Sequence, residues 1–137
     1  MEYKFKVEEK EYILNKENFL ELINDEEAPV EGFSLEETIR LLNENKSEFE
    51  KSYYSTSCEA CDGNFKGKRN ISEYVEAFFY IYTKDKKYII SNIDKSYEGK
   101  TYHRLEMLGE VDDSYIVSVI VCNNCGKYTV QIEELVI

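Results

Sequence analysis

No run of apolar residues in this chain approaches the roughly 20 needed to cross a bilayer, so no membrane-spanning helix is expected. Basic residues are scarce. Lys and Arg number 17 against 28 Asp and Glu, a formal net charge of −11. The deficit lies in residues 1–50, where 6 basic side chains face 15 acidic ones, a net of −9. Such a surface repels phosphate backbones unless a basic patch is segregated from it, so free nucleic acid is disfavoured as a general partner. Proline and histidine occur once each, and tryptophan is absent. The lone histidine, His103, has no Ser/His/Asp or Cys/His set spaced around it and reads as a surface or partly packed side chain. A Gly-rich phosphate loop, an HExxH motif and spaced carboxylate pairs are also missing, so no reaction is named by motif.

What is present is globular material: 42% hydrophobic residues, with twelve Tyr and seven Phe. A chain of 137 residues is expected to form one domain, residues 1–137. It divides into an acidic strand and helix half, 1–52, and a β-rich half, 53–137. The start Met1-Glu2-Tyr3-Lys4 is charged rather than signal-like. A reducing cytoplasm is the expected compartment, where thiols stay free.

Along the chain, Tyr3, Phe5 and Val7 alternate with Lys4, Lys6 and Glu8, the pattern of a half-buried strand. Tyr12-Ile13-Leu14 is its expected hairpin partner. Asn15 is placed to cap a short helix carrying Phe19, Leu20, Leu22 and Ile23. After a loop around Pro29, Ser34-Leu35-Glu36-Glu37 is a capping box opening a helix through about residue 50. Beyond Tyr53, residues 74–83 and Tyr88-Ile89-Ile90 read as a β-hairpin turned at Lys84–Lys87, and Tyr102–Leu108 as a further strand. Tyr115–Val121 is apolar on both faces apart from Ser118, as a central strand requires, and Tyr128–Ile132 returns antiparallel. The expected class is α+β: an antiparallel β-sheet of four or five strands with N-terminal helices packed against it.

All four cysteines fall in two Cys-x-x-Cys pairs, Cys58 with Cys61 and Cys122 with Cys125. Two intervening residues let a chain curl so that both sulfurs reach one ion at about 2.3 Å, and two such pairs complete a tetrahedral, closed cage. These four residues are the candidate metal ligands, for one structural Zn2+. Thiol–disulfide chemistry is the rival reading, but it needs the first cysteine at a helix N-terminus, and neither pair precedes an expected helix. Cys122-Asn123-Asn124-Cys125-Gly126 sits between two strands and resembles the knuckle of zinc-ribbon proteins, Cys-x-x-Cys-Gly. The first pair departs from that pattern, since Asp62 precedes Gly63, and 60 residues separate the pairs, so no compact ribbon is expected. The remainder resembles an uncharacterised small bacterial protein family, which transfers no activity.

Two weaker signals complete the reading. Lys66, Lys68 and Arg69, with Lys84, Lys86 and Lys87, form basic loops (66–69 and 84–87) that an alternative, nucleic-acid-binding reading would use; three charges each, interrupted by Asp85, make a thin patch, and ordinary loop solubility is the preferred reading. Tyr74, Phe78, Tyr80 and Tyr82 share one strand face with Glu76. That face is expected to be core beneath the helices, with a partner-binding surface as the competing reading. Together these features describe a zinc-binding, non-enzymatic protein-interaction or regulatory module whose partner is expected to be a protein.

Overall fold

The computed structural model describes residues 1–66 and 68–135, and for residue 66 and residues 68–70 the backbone alone. The chain opens with the expected hairpin, β1 (Tyr3–Val7) and β2 (Lys10–Leu14), in which Phe5 faces Tyr12 across the ladder. Its two-residue turn places Glu8 and Glu9 at positive φ, 48° and 72°, the backbone that matches strand twist and normally selects Asn or Gly.

The helix expected after Asn15 is instead a strand, β3 (Phe19–Ile23). The capping signal is real: Asn15 Oδ1 accepts the Asn18 amide at 2.9 Å. It serves a single turn, because so short a segment cannot sustain a helix unaided. Pairing decides its conformation, since β3 runs parallel to the last strand of the chain.

Ser34 does cap α1 (Leu35–Asn45), accepting the Glu37 amide at 3.2 Å. The Glu37 carboxylate does not close the capping box; it is taken by Arg40 and the Tyr88 hydroxyl. Nor does the helix reach residue 50. Lys46 adopts the left-handed conformation and donates to the Leu42 carbonyl, a left-handed C-terminal stop. Phe49 is thereby turned onto the hairpin, its ring 3.9 Å from that of Phe5, and the chain enters β4 (Glu50–Tyr54).

β5 (Phe65–Lys66), the 17-residue β6 (Lys68–Lys84) and β7 (Lys87–Ser91) follow. The expected β6–β7 hairpin forms, with Asp85 and Lys86 at positive φ in its turn. A 3₁₀ turn, Lys95–Tyr97, leads to α2 (Tyr102–Met107), where the sequence pattern indicated a strand. Thr101 explains the difference. Its side chain accepts the Arg104 amide at 3.2 Å, and the turn it starts buries Leu105. β8 (Asp113–Cys122) and β9 (Tyr128–Glu134) include the expected strands Tyr115–Val121 and Tyr128–Ile132, run a few residues longer, and pair antiparallel as expected.

Seven strands form one sheet along the path β3-β9-β8-β6-β4, with β5 and β7 also paired to β6. It is larger than the expected sheet because the first half of the chain contributes β3 and β4. The fold is mixed α+β, mostly sheet, and strands rather than helices stand at the N-terminus. One sheet face, with Val75, Phe79, Ile81, Val117, Val119, Val121 and Val130, is buried beneath α1 (Ile39, Leu41, Leu42) and the β1–β2 hairpin.

The aromatic face of β6 is the opposite one, not the main core. Val75, Ala77, Phe79 and Ile81 fill the α1 side, while Tyr74 and Tyr80 are half-buried and Phe78 is 59% exposed. Tyr82 alone is buried there, in a small second core with Ile90, Leu105 and Val111.

Candidate metal centre

Both cysteine pairs lie at one end of the sheet. Cys58 and Cys61 belong to the loop between β4 and β5; Cys122 ends β8, and Cys125 lies in the turn before β9. The register that sets Cys122 opposite Tyr74 brings that turn against the β4–β5 loop. The four Sγ atoms fall within 4.8 Å of one another, with Cys58 and Cys122 buried and the other two half-buried. Sγ of Cys58 is 3.7 Å from that of Cys125, and Sγ of Cys61 is 3.6 Å from that of Cys122. All four cysteines are free. A tetrahedron with metal–sulfur bonds of about 2.3 Å has edges of about 3.8 Å, so the donors fit a single tetrahedral ion.

The backbone is shaped alike in both pairs. Gly126 has φ 79° and its amide donates to the Cys122 carbonyl at 3.1 Å. Asp62, at the equivalent position of the first pair, has φ 48° and donates to the Cys58 carbonyl at 2.8 Å. The departure seen in sequence is therefore one of residue type and not of geometry, because aspartate tolerates the left-handed region better than most side chains. Its carboxylate also accepts the Ser57 hydroxyl at 2.6 Å.

Donors converge on the sulfurs. The amides of Asn124 and Cys125 approach Cys122 Sγ at 3.4 and 3.5 Å, and the Asn124 side chain reaches Cys61 Sγ at 3.4 Å. Burial works to raise the Cys61 thiol, but the Asn124 side chain and the Gly63 amide prevail and bring it down to about 7. Burial pushes the Cys122 and Cys125 thiols up. Four thiols gathered this closely are compatible with a metal ion, whose charge would neutralise them as thiolates.

Several supporting residues carry no motif of their own. Buried Asn64 accepts the Cys58 amide at 2.9 Å and donates to the Glu73 carbonyl at 3.1 Å, pinning the first pair to β6. Asn123 donates to the Glu73 carboxylate, and Lys10, from the hairpin, donates to the carbonyls of Asn123 and Asn124. Lys10 thus sets a positive charge beside the second pair. The one available hint was the asparagines lying within and just beyond the cysteine pairs.

Other candidate residues lie elsewhere. His103 is exposed on α2, outside the cysteine cluster. Glu76 is half-buried on the aromatic face and accepts the Tyr54 hydroxyl, the type of partner its setting calls for. Lys86 is engaged by the Tyr115 hydroxyl at 2.8 Å and by Glu134 at 3.7 Å. The side chains of Lys66, Lys68 and Arg69 lie outside the described residues. Among the described residues no helix is long and apolar enough to cross a membrane.

An α+β fold dominated by one sheet, with four free cysteines gathered at its end, defines a four-cysteine protein with a metal-compatible cluster. The chain belongs to the family described as Protein of unknown function (DUF3785), which it matches over residues 3–137. No curated protein and no solved structure matches it.

Proposed function

We propose that Cys58, Cys61, Cys122 and Cys125 hold one zinc ion as a closed structural clasp, in a protein that works as a non-enzymatic interaction module in a reducing compartment. The observation that carries the metal is the sulfur spacing of 3.6–3.7 Å across the two pairs. Amides directed at Cys122 Sγ and the likeness of the second pair to a zinc-ribbon knuckle favour zinc over harder, oxygen-seeking cations. With four thiolates the ion has no open position for substrate or water, so its role is to hold the fold. It supplies charge neutralisation of the cage and on the order of 10 kcal/mol of binding energy coupled to folding.

Protein purified without added zinc should contain about one equivalent by elemental analysis. Cobalt(II) in its place should give the intense visible bands of tetrahedral thiolate coordination. Cys122→Ser should abolish those bands and lower the thermal midpoint. Metal-free protein with two disulfides would overturn the assignment. For the interaction role, turnover of a substrate by the purified, zinc-loaded protein would count against it.

A further inference from the structure

The inner sheet face is covered along its length, but the outer face is covered at one end only. There the 3₁₀ turn and α2 bring Tyr97 and Tyr102 onto Tyr82, with ring centroids 5.5 and 4.9 Å apart. Toward the cysteine end, among the described residues, that cover stops. Phe78 is 59% exposed, and Leu20 and Ile23 on β3 are 40% and 41% exposed. Between them run the half-buried Ile116 and Ile120 of β8, and a groove of about 360 Å³ opens between β3 and Tyr54 and Tyr74.

Among the described residues the charge on this face is mostly acidic. Glu50 and Glu76 are register partners, Glu133 lies opposite Ile116, and Glu21 lies opposite Thr129 in the groove lining. Lys127, at the rim, is the one basic residue among those lining the groove. Burial first, then Glu76 and, more weakly, Glu133 push the Tyr54 hydroxyl well above the ordinary tyrosine range.

We infer that this open outer face docks a cationic, amphipathic segment of a partner protein. Its apolar side chains would rest on Phe78, Ile120 and Leu20, and its Arg or Lys residues would meet Glu50, Glu76 and Glu133. Two arguments select this occupant over a second copy of the chain. A two-fold contact would set four carboxylates against four, and like charges across an interface cost several kcal/mol. Size points the same way. Five strands spaced about 4.8 Å span about 19 Å, and the uncovered length of β6 is about 15 Å, so the strip measures about 300 Å². That is well under the roughly 800 Å² each partner of a stable complex buries, yet long and wide enough to seat one helix of about 12 residues, about 18 Å long and about 10–12 Å across. The rings of Tyr54 and Tyr74 add π faces suited to guanidinium groups.

The inference rests on the interaction reading above and is tested apart from it. Full-length, zinc-loaded protein is titrated with two designed helical peptides of identical Leu content, one bearing Arg and one bearing Glu at its polar positions. The Arg peptide should bind and the Glu peptide should not. Affinity should fall about tenfold or more between about 50 and 300 mM salt. Phe78→Ser and Glu133→Lys should each weaken it about tenfold while zinc content and thermal midpoint stay unchanged, since both side chains are exposed. Equal binding of both peptides, no binding, insensitivity to both substitutions, or a dimer abolished by Phe78→Ser would each overturn the inference. A protein partner lost on Met107→Glu, on the exposed end of α2, but not on Phe78→Ser would also overturn it while leaving the interaction reading intact.

Discussion

Asn64 shows how a residue without a motif can govern the site. It is 1% exposed and holds two backbone groups at once, the Cys58 amide and the Glu73 carbonyl. Asn64→Ala removes both partners and leaves a buried donor and acceptor unsatisfied, a cost of about 2–3 kcal/mol. The expected outcome is a lower denaturation midpoint together with weaker zinc binding in a competition titration against a chelator. An unchanged zinc affinity would mean that the first pair holds its shape without this support. Asp62 teaches the complementary lesson. It stands where the second pair has Gly126, and it adopts the left-handed conformation itself. Sequence patterns encode the residue usually found in a backbone state, whereas the state is set by the hydrogen bond to the first cysteine's carbonyl.

At the scale of elements, α1 is tied to β7 and the segment after it by charge and hydrogen bonds as well as by its apolar face. Arg40 donates to both oxygens of Glu37, at 2.7 and 2.6 Å, and to Asp94 at 2.9 Å in the segment leading to the 3₁₀ turn; Glu37 also accepts the Tyr88 hydroxyl at 2.6 Å. The Arg40 guanidinium is the main influence holding Glu37 below its ordinary 4.5. Asp94 is opposed by burial but is brought below 3.8 by the Ser96 amide and by Arg40. Carboxylates depressed in the folded state stabilise it above their ordinary values, and that contribution is lost as pH falls through the lowered ones. Arg40→Met should therefore cost about 1–2 kcal/mol at neutral pH, kept modest because Arg40 is partly exposed. The difference from the unaltered protein should shrink as pH drops below about 4. Denaturant melts across that range provide the check, and a pH-independent difference would place the effect in packing alone.

The same elements show what could be read in advance. Ser34, the β6–β7 hairpin, β8, β9 and the four cysteines were legible because each rests on local chemistry: a cap, alternation, a continuous apolar run, a paired spacing. β3 and α2 were not, because pairing with a strand over 100 residues away and burial against Tyr82 decide them. The aromatic face misled for a related reason. Large tyrosines suit a core by area, but the face of β6 that α1 and the hairpin cover is the other one, with Val75, Ala77, Phe79 and Ile81.

For the whole molecule, the cysteine cluster changes meaning once β3 and β4 are seen to belong to the main sheet. A zinc clasp between an acidic helical half and a β-rich half is the natural reading of the sequence, and its loss would loosen both halves together. In the fold, the cluster instead joins a loop beside β4 to the β8–β9 turn at one end of a continuous sheet. The ten-pair β6–β8 ladder, from Tyr74 opposite Cys122 to Thr83 opposite Asp113, runs away from it, and the α1-covered core is built without it. Because that core stands apart from the cluster, loss of the ion is expected to lower the stability of the whole while opening the cluster end first. Removal of the ion should leave four converging thiols with nothing to neutralise them, and opening should begin where they are anchored. In hydrogen exchange, chelated protein should lose protection in β4, at the start of β6, in the β8–β9 turn and at the hairpin tip that Lys10 ties to Asn123. Phe79, Ile81, Val117, Val119 and the buried turn of α1 should stay protected. Uniform acceleration along the chain would make the ion the keystone of the entire fold, and no acceleration at the knuckle end would remove the clasp.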